Sequence, residues 1–306
     1  MVSLEFWNCW NCYGVPGIAG IEFEMNPFVY RTAAQRYAGA RPYYHPVVIE
    51  LVGAYLSLDQ PVEHALDVAC GTGQSCMALK SLARRIVGTD NSFEMLAAAL
   101  TDPAIEYVEA PAEQLPFPDG YFDLITVSSA FHWFQREEFL GEANRLLPVA
   151  HWLVIYENNF QGGKMKGRAD FSEWFRTEYL AQFPSPPRHG KPLDDEEAEA
   201  AGFRFANRQC YSNDVTFTKE GLAHYLTTQS NIIAAVEEGA WSLDGVCEWL
   251  YSSLEPFFAG REAVFEFGGA IWYLQKSRTI ASCRPAGSGI EKQPTIRCSG
   301  HATTRR

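Results

Sequence analysis

The chain has 306 residues, with 37 acidic against 25 basic side chains and a formal charge of −12 at pH 7. That balance argues against a general nucleic-acid or anionic-membrane surface, and no run of 18 uncharged apolar residues is present to span a bilayer. At 47% hydrophobic and 14% aromatic content it supplies a substantial core, enough for one large domain or a domain with an insertion.

Residues 1–24 lack a basic start, and Asn8, Asn11 and Gly14 break their apolar stretch. We expect no secretory signal there, a disordered extension and a cytoplasmic protein. The eight cysteines are irregularly spaced, as scattered intracellular thiols are. "CWNC" at 9–12 lacks the further ligands that zinc needs, so no metal is expected.

The ordered pattern starts with "PVVIELVGAYLSL" (46–58), a helix with Val48, Leu51, Val52 and Tyr55 on one face and Pro46 at its start. Strands are predicted at 64–70, 84–90, 104–108, 121–129 and 150–158. Helices are predicted between them at 74–84, at 91–100 with Asn91 and Glu94 spaced as a capping box, and over "QREEFLGEANRLLP" with Pro148 as its stop. Strands and helices alternating in this way imply a parallel sheet covered on both faces. Ligands of such sheets sit beyond the carboxyl ends of the strands. Asp67–Gly73, Asp90, Glu109–Glu113, Ser128–Phe134 and Glu157–Asn159 are therefore the candidate stretches. After residue 160 come the basic "FQGGKMKGR", an acidic run "DDEEAEA", amphipathic helices at 219–237 and 243–258, and a last strand over 261–276. Residues 277–306 are polar, basic and aperiodic, a predicted disordered tail.

The stretch "ALDVACGTGQ" (65–74) has the glycine pattern of a nucleotide turn. A carboxylate at Asp67 is a poor neighbour for a pyrophosphate and a good one for a ligand carrying an amino group and a sulfonium. With Asp90 at the end of the second strand and "YVEAPAEQLPFPDGYFDLITVSSAFHWF" at 107–134, the chain resembles the class I S-adenosylmethionine-dependent methyltransferases over about residues 25–275. "AFHWF", "YAGARPYYHP" and "YLTTQSN" are similar to the branch that includes trans-aconitate methyltransferase-like enzymes. Ala69 and Pro111 depart from the family pattern, which usually has Gly and Asp there.

The resemblance implies a Rossmann-like, doubly wound α/β fold, with a mostly parallel seven-stranded sheet and a helical cap. The domain would cover 25–276, with a cofactor core at 46–158 and a cap and acceptor region at 160–258. It implies S-adenosylmethionine held by Asp67, Ala69, Gly71, Gly73, Asp90, Asn91, Ala112 and Glu113, with Tyr37 and Arg41 on an arm folded over it. His132 is the candidate base or orienting group, and Trp133, Gln229 and Asn231 are candidates for the acceptor side. The expected partner is a small molecule, not nucleic acid or membrane. An oxygen nucleophile such as a carboxylate is expected, because Lys164, Lys166 and Arg168 follow the fifth strand. Two alternatives stay open: a nicotinamide-type oxidoreductase on a similar sheet, and a non-catalytic relative.

Overall fold

In a computed structural model, residues 39–186 and 192–278 are described. Residues 1–24, Tyr37 and, beyond Ser277 and Arg278, the expected tail lie outside these residues. The described chain runs α1 (His45–Leu56), β1 (Val62–Val68), α2 (Gln74–Leu79), β2 (Ala83–Asp90), α3 (Phe93–Ala97), β3 (Ile105–Glu109), β4 (Leu124–Ser128), α4 (Arg136–Leu146) and β5 (Trp152–Tyr156). It continues with α5 (Ala169–Trp174), α6 (Asp195–Ala200), β6 (Phe203–Phe217), α7 (Lys219–Leu226), α8 (Ser230–Glu237), α9 (Leu243–Leu254) and β7 (Ala263–Lys276).

The seven strands form one sheet in the order β3-β2-β1-β4-β5-β7-β6. The first five are parallel, and β7 is antiparallel to both neighbours. Side chains alternate across the sheet as strand geometry requires. Leu66, Val68, Ile125, Val127, Leu153 and Ile155 pack with Phe139 and Leu140 of α4 on one face. Ala65, Leu124, Val154 and Tyr156 pack with Val48, Ile49 and Val52 of α1 and Leu79 of α2 on the other. Each such aliphatic side chain, fully withdrawn from water, contributes about 1.5–3 kcal/mol.

Three local expectations are corrected. The 219–237 helix is two helices: Thr227, Thr228 and Gln229 interrupt it, and the Thr228 hydroxyl donates to Tyr225 O at 2.6 Å. The cap of α3 is Ser92, not Asn91, with its hydroxyl accepting the Met95 N–H at 3.2 Å. Strand β6 carries no strand prediction, because its polar residues alternate along an edge and hide the apolar period.

The cap is an aromatic core of its own. Phe160, Phe171, Trp174, Tyr179, Phe183 and Phe267 are among its buried members, gathered from α5, α7, α9 and the far half of β7. It stands beyond the carboxyl end of β5. Gly269 lets the chain pass there, since a Cβ on it would lie 1.8 Å from Glu157 O. Asn159 and Gly268 exchange backbone hydrogen bonds at 2.7 and 3.0 Å across the same crossing.

Candidate functional site

The turn after β1 is built from left-handed backbone. Ala69, Gly71 and Gly73 have φ of 54°, 56° and 76°. Glycine adopts this region freely, whereas alanine pays roughly 1–2 kcal/mol in the related helical conformation. The two glycines serve different ends. A Cβ on Gly71 would meet nothing within 4 Å and would stand in the open cleft. A Cβ on Gly73 would lie 2.0 Å from the Tyr107 hydroxyl, so that glycine makes room for the tyrosine. Tyr107 in turn donates to Leu100 O at 2.7 Å, holding the segment after α3 against the turn.

Asp67 is fully buried beneath this turn. Its Oδ1 accepts the Thr126 hydroxyl at 2.7 Å, and its Oδ2 accepts from the Ser75 hydroxyl and from Cys76 Sγ at 3.3 Å. Burial pushes its pKa up to about 6, against the opposing pull of the Ser75, Thr126 and Cys76 donors. The carboxylate ties β1, β4 and the first turn of α2 together. Asp90 also braces the turn. Its Oδ2 accepts the Gly71 N–H at 2.9 Å and its Oδ1 the Ser92 N–H at 2.9 Å. Burial raises its pKa above the ordinary aspartate value. Asn91 beside it is exposed.

The cleft above the turn has Ala69–Thr72 on one wall and Arg41 and Tyr44 on another. Ser128, Ser129 and Asn158 form the strand-end floor, and Tyr225 and Phe267 reach in from the cap. Arg41 donates from Nη2 to Thr228 O at 2.7 Å and stands 5.4 Å from the Tyr225 ring centroid. The Tyr44 hydroxyl lies 2.8 Å from Ser128 Oγ and 3.1 Å from Ser129 Oγ. Behind it His45 stacks on Tyr44 and its Nδ1 lies 3.0 Å from the Tyr156 hydroxyl. Burial lowers the His45 pKa to about 3, so this imidazole stays neutral.

His132 sits in a single 3₁₀ turn, Phe131–Trp133, just past β4. Its Nδ1 is 3.8 Å from Glu157 Oε1, each side chain 15% exposed, and its ring is 4.9 Å from that of Trp133. Glu157 precedes the cleft residue Asn158, so the pair bridges the ends of β4 and β5.

Other expected residues fall elsewhere. Ala112 is buried in the core beside α4. Glu113 Oε1 accepts the Gln135 N–H at 2.9 Å, at the start of α4. Trp133 packs half-buried against the same core. Asn231 is buried in the cap, where its Nδ2 donates to Phe183 O at 2.8 Å and its Oδ1 accepts the Tyr179 hydroxyl at 3.3 Å. Gln229 caps the start of α8, and its Nε2 is buried without a hydrogen-bond partner. Lys164, Lys166 and Arg168 are each paired with an acid, namely Glu266 at 4.0 Å, Asp214, and Asp170 at 2.7 Å. Tyr44, His45, Tyr225 and Phe267 were not singled out from sequence. The paired glycines after Phe267 were the available sign of a close crossing.

Residues 66–155 match the family model described as a methyltransferase domain. A Dictyostelium discoideum protein named as a methyltransferase is 25% identical over 211 residues, 67% of this chain and 78% of that protein. Demethylmenaquinone methyltransferases of Thermus thermophilus and Thermotoga maritima are 37% and 39% identical over 110 and 116 residues. The chain spans about half the length of these two, 50% and 48%. Among solved structures, a type II methyltransferase from Anaeromyxobacter dehalogenans shares the fold, with a TM-score of 0.58, 19% identity, and coverage of 77% of this chain and 95% of that one.

Over residues 66–155 the chain carries a methyltransferase domain, and its sheet and glycine turn agree with S-adenosylmethionine-dependent methyl transfer. Its cofactor is S-adenosylmethionine, and the nicotinamide alternative gives way. The turn fits that group, because the Gly71 cradle is one that any side chain would fill. Among the described residues no helix is long and apolar enough to cross a membrane.

Proposed function

We propose that this enzyme methylates a small molecule that presents a hydroxyl from an apolar, unsaturated frame. The observation that carries this reading is the make-up of the cleft. The glycine turn forms one wall, the Tyr44, Ser128 and Ser129 hydroxyls lie along the floor, and the Tyr225 and Phe267 rings close the cap side. Largely apolar walls with a few convergent polar groups are the usual form of small-molecule sites. When bound, S-adenosylmethionine supplies a sulfonium methyl that an acceptor lone pair takes as the carbon–sulfur electrons return to sulfur. Ala69, Gly71 and Gly73 would hold it by close backbone approach, with Asp90, Asn91, Ala112 and Glu113 on its nucleoside side and Arg41 at its carboxylate. The chain's own tasks are to align the acceptor, exclude water and take up its proton. His132 is assigned the last of these, because burial strips His45 of proton affinity, its pKa falling to about 3.

A carboxylate acceptor is the weaker form of the reading, since acids already neutralise Lys164, Lys166 and Arg168. A ring carbon is a second reading, favoured by the 37–40% identity to segments of demethylmenaquinone methyltransferases. The branch marked by "AFHWF" stays part of the proposal. The test is to incubate the full chain with methyl-labelled S-adenosylmethionine and a panel of hydroxylated aromatic and aliphatic compounds. Labelled methyl ethers support the hydroxyl reading. Carbon-methylated products support the second, and base-labile methyl esters overturn both.

A further inference from the structure

We infer that Glu157 is a positioning residue for His132, holding the proton of the neutral imidazole on Nδ1 so that Nε2 is free to take a proton from the acceptor. This rests on the hydroxyl-acceptor reading above and narrows it to nucleophiles that are protonated at neutral pH.

Three observations carry the assignment. First, the two groups face each other at 3.8 Å and each is only 15% exposed, so water screens the pair weakly. That separation is an ion-pair distance and longer than a hydrogen bond. Catalytic contacts of this kind tighten when ligand fills a site. Second, the glutamate is fixed from its backbone. Glu157 N donates to Ala270 O at 3.2 Å, and Glu157 O accepts the Tyr211 hydroxyl at 2.9 Å. Gly269 allows this close passage, so the carboxylate stands on a rigid crossing rather than a loose loop. Third, the imidazole is clamped on its other side. Trp133 lies against it, and the 3₁₀ turn is pinned by the buried Phe131.

The charged groups around the pair complete the arrangement. Arg136 of α4 lies against the Phe131 ring at 4.7 Å and reaches Glu197 of α6 at 3.5 Å. It is attracted first to Glu197, then to Glu157, and also to Asp194. Glu157 thus has a cation on one side and the imidazole on the other. From this place its carboxylate orients His132 as acceptor of a proton. In the step, the acceptor's O–H bond breaks, its proton passes to His132 Nε2, and the oxygen keeps the electron pair with which it takes the methyl. The imidazolium, stabilised by Glu157, then returns the proton to water. A carboxylate acceptor, already ionised, has no use for such a pair.

The experiment is NMR on the full chain with ¹³C- and ¹⁵N-labelled histidine, the His132 signal being assigned by its loss in His132→Gln. We expect wild type to show the Nδ1–H tautomer for neutral His132. In Glu157→Gln we expect the Nδ1–H preference to be lost, with partial recovery in Glu157→Asp. Calorimetry with S-adenosylhomocysteine runs in parallel on each protein. Unchanged binding in Glu157→Gln with a shifted His132 tautomer ratio is the expected result. An Nε2–H tautomer in wild type, or the same tautomer ratio in wild type and Glu157→Gln, overturns the inference. Absence of S-adenosylhomocysteine binding by wild type would strike the cofactor reading instead. If Glu157→Gln does not fold, the wild-type tautomer decides alone.

Discussion

Asp67 and Thr126 stand opposite each other on β1 and β4, and the Thr126 hydroxyl donates to Asp67 at 2.7 Å in the middle of the sheet. A carboxyl group with no exposure is stabilised more easily as the acid. Its folded-state pKa of about 6 lies above the ordinary 3.8. Its contribution to stability is therefore full below about pH 4 and is lost as pH rises through about 6, an effect on the order of 3 kcal/mol. We predict that Asp67→Asn loses less stability than wild type between pH 4 and pH 7. Urea midpoints at the two pH values check this, and parallel losses would contradict it.

The glycines of the turn are separable. Gly73→Ala is expected to destabilise the fold, because its Cβ would lie 2.0 Å from the Tyr107 hydroxyl and 2.9 Å from the ring carbon that carries it. Overpacking of this kind typically costs 1–3 kcal/mol. Thermal unfolding of Gly73→Ala, alone and combined with Tyr107→Ala, measures it. The second change should recover part of the loss.

Ala69 is the converse case. In the left-handed region its side chain costs about 1–2 kcal/mol, while glycine costs roughly 0.5–1 kcal/mol in unfolded-state entropy. The first effect is the larger, so Ala69→Gly should stabilise by up to about 1.5 kcal/mol. A raised denaturant midpoint at constant slope is the expected reading.

Asn231 divides structural from functional roles in the cap. Asn231→Ala leaves the Phe183 carbonyl and the Tyr179 hydroxyl without their present partner in a buried place. The expected loss is about 1–3 kcal/mol with S-adenosylhomocysteine affinity unchanged. Intact stability in the variant would return Asn231 to the acceptor side.

Much of this was legible because local patterns and global fold agree. The first five strands are apolar and flanked by capping and stop residues, so their order could be read residue by residue. The edge strand β6 could not, because its outward residues are polar and only its pairing with β7 makes it a strand. For Asp67 the strand-end position is legible in the sequence, whereas its burial under Ser75 and Thr126 is set by tertiary packing. Glu157 was flagged only as part of the polar stretch after β5. Its pairing with His132 depends on β4 and β5 being neighbours, 24 positions apart on the chain at Ser128 and Trp152 but adjacent in the sheet.

The central claim is that S-adenosylmethionine binds over the turn at Gly71. The most direct measurement is calorimetric titration of the full chain and of Gly71→Ala with S-adenosylmethionine, beside thermal unfolding of both. The account predicts saturable one-to-one binding by wild type, and about 2.7 kcal/mol of stabilisation at a hundredfold excess over Kd. It predicts loss of binding in Gly71→Ala, whose added side chain stands in the open cleft at a left-handed strain of about 1–2 kcal/mol, so the titration is read beside the melting curve of the same variant. Equal binding by a folded Gly71→Ala, or none by wild type, would contradict it.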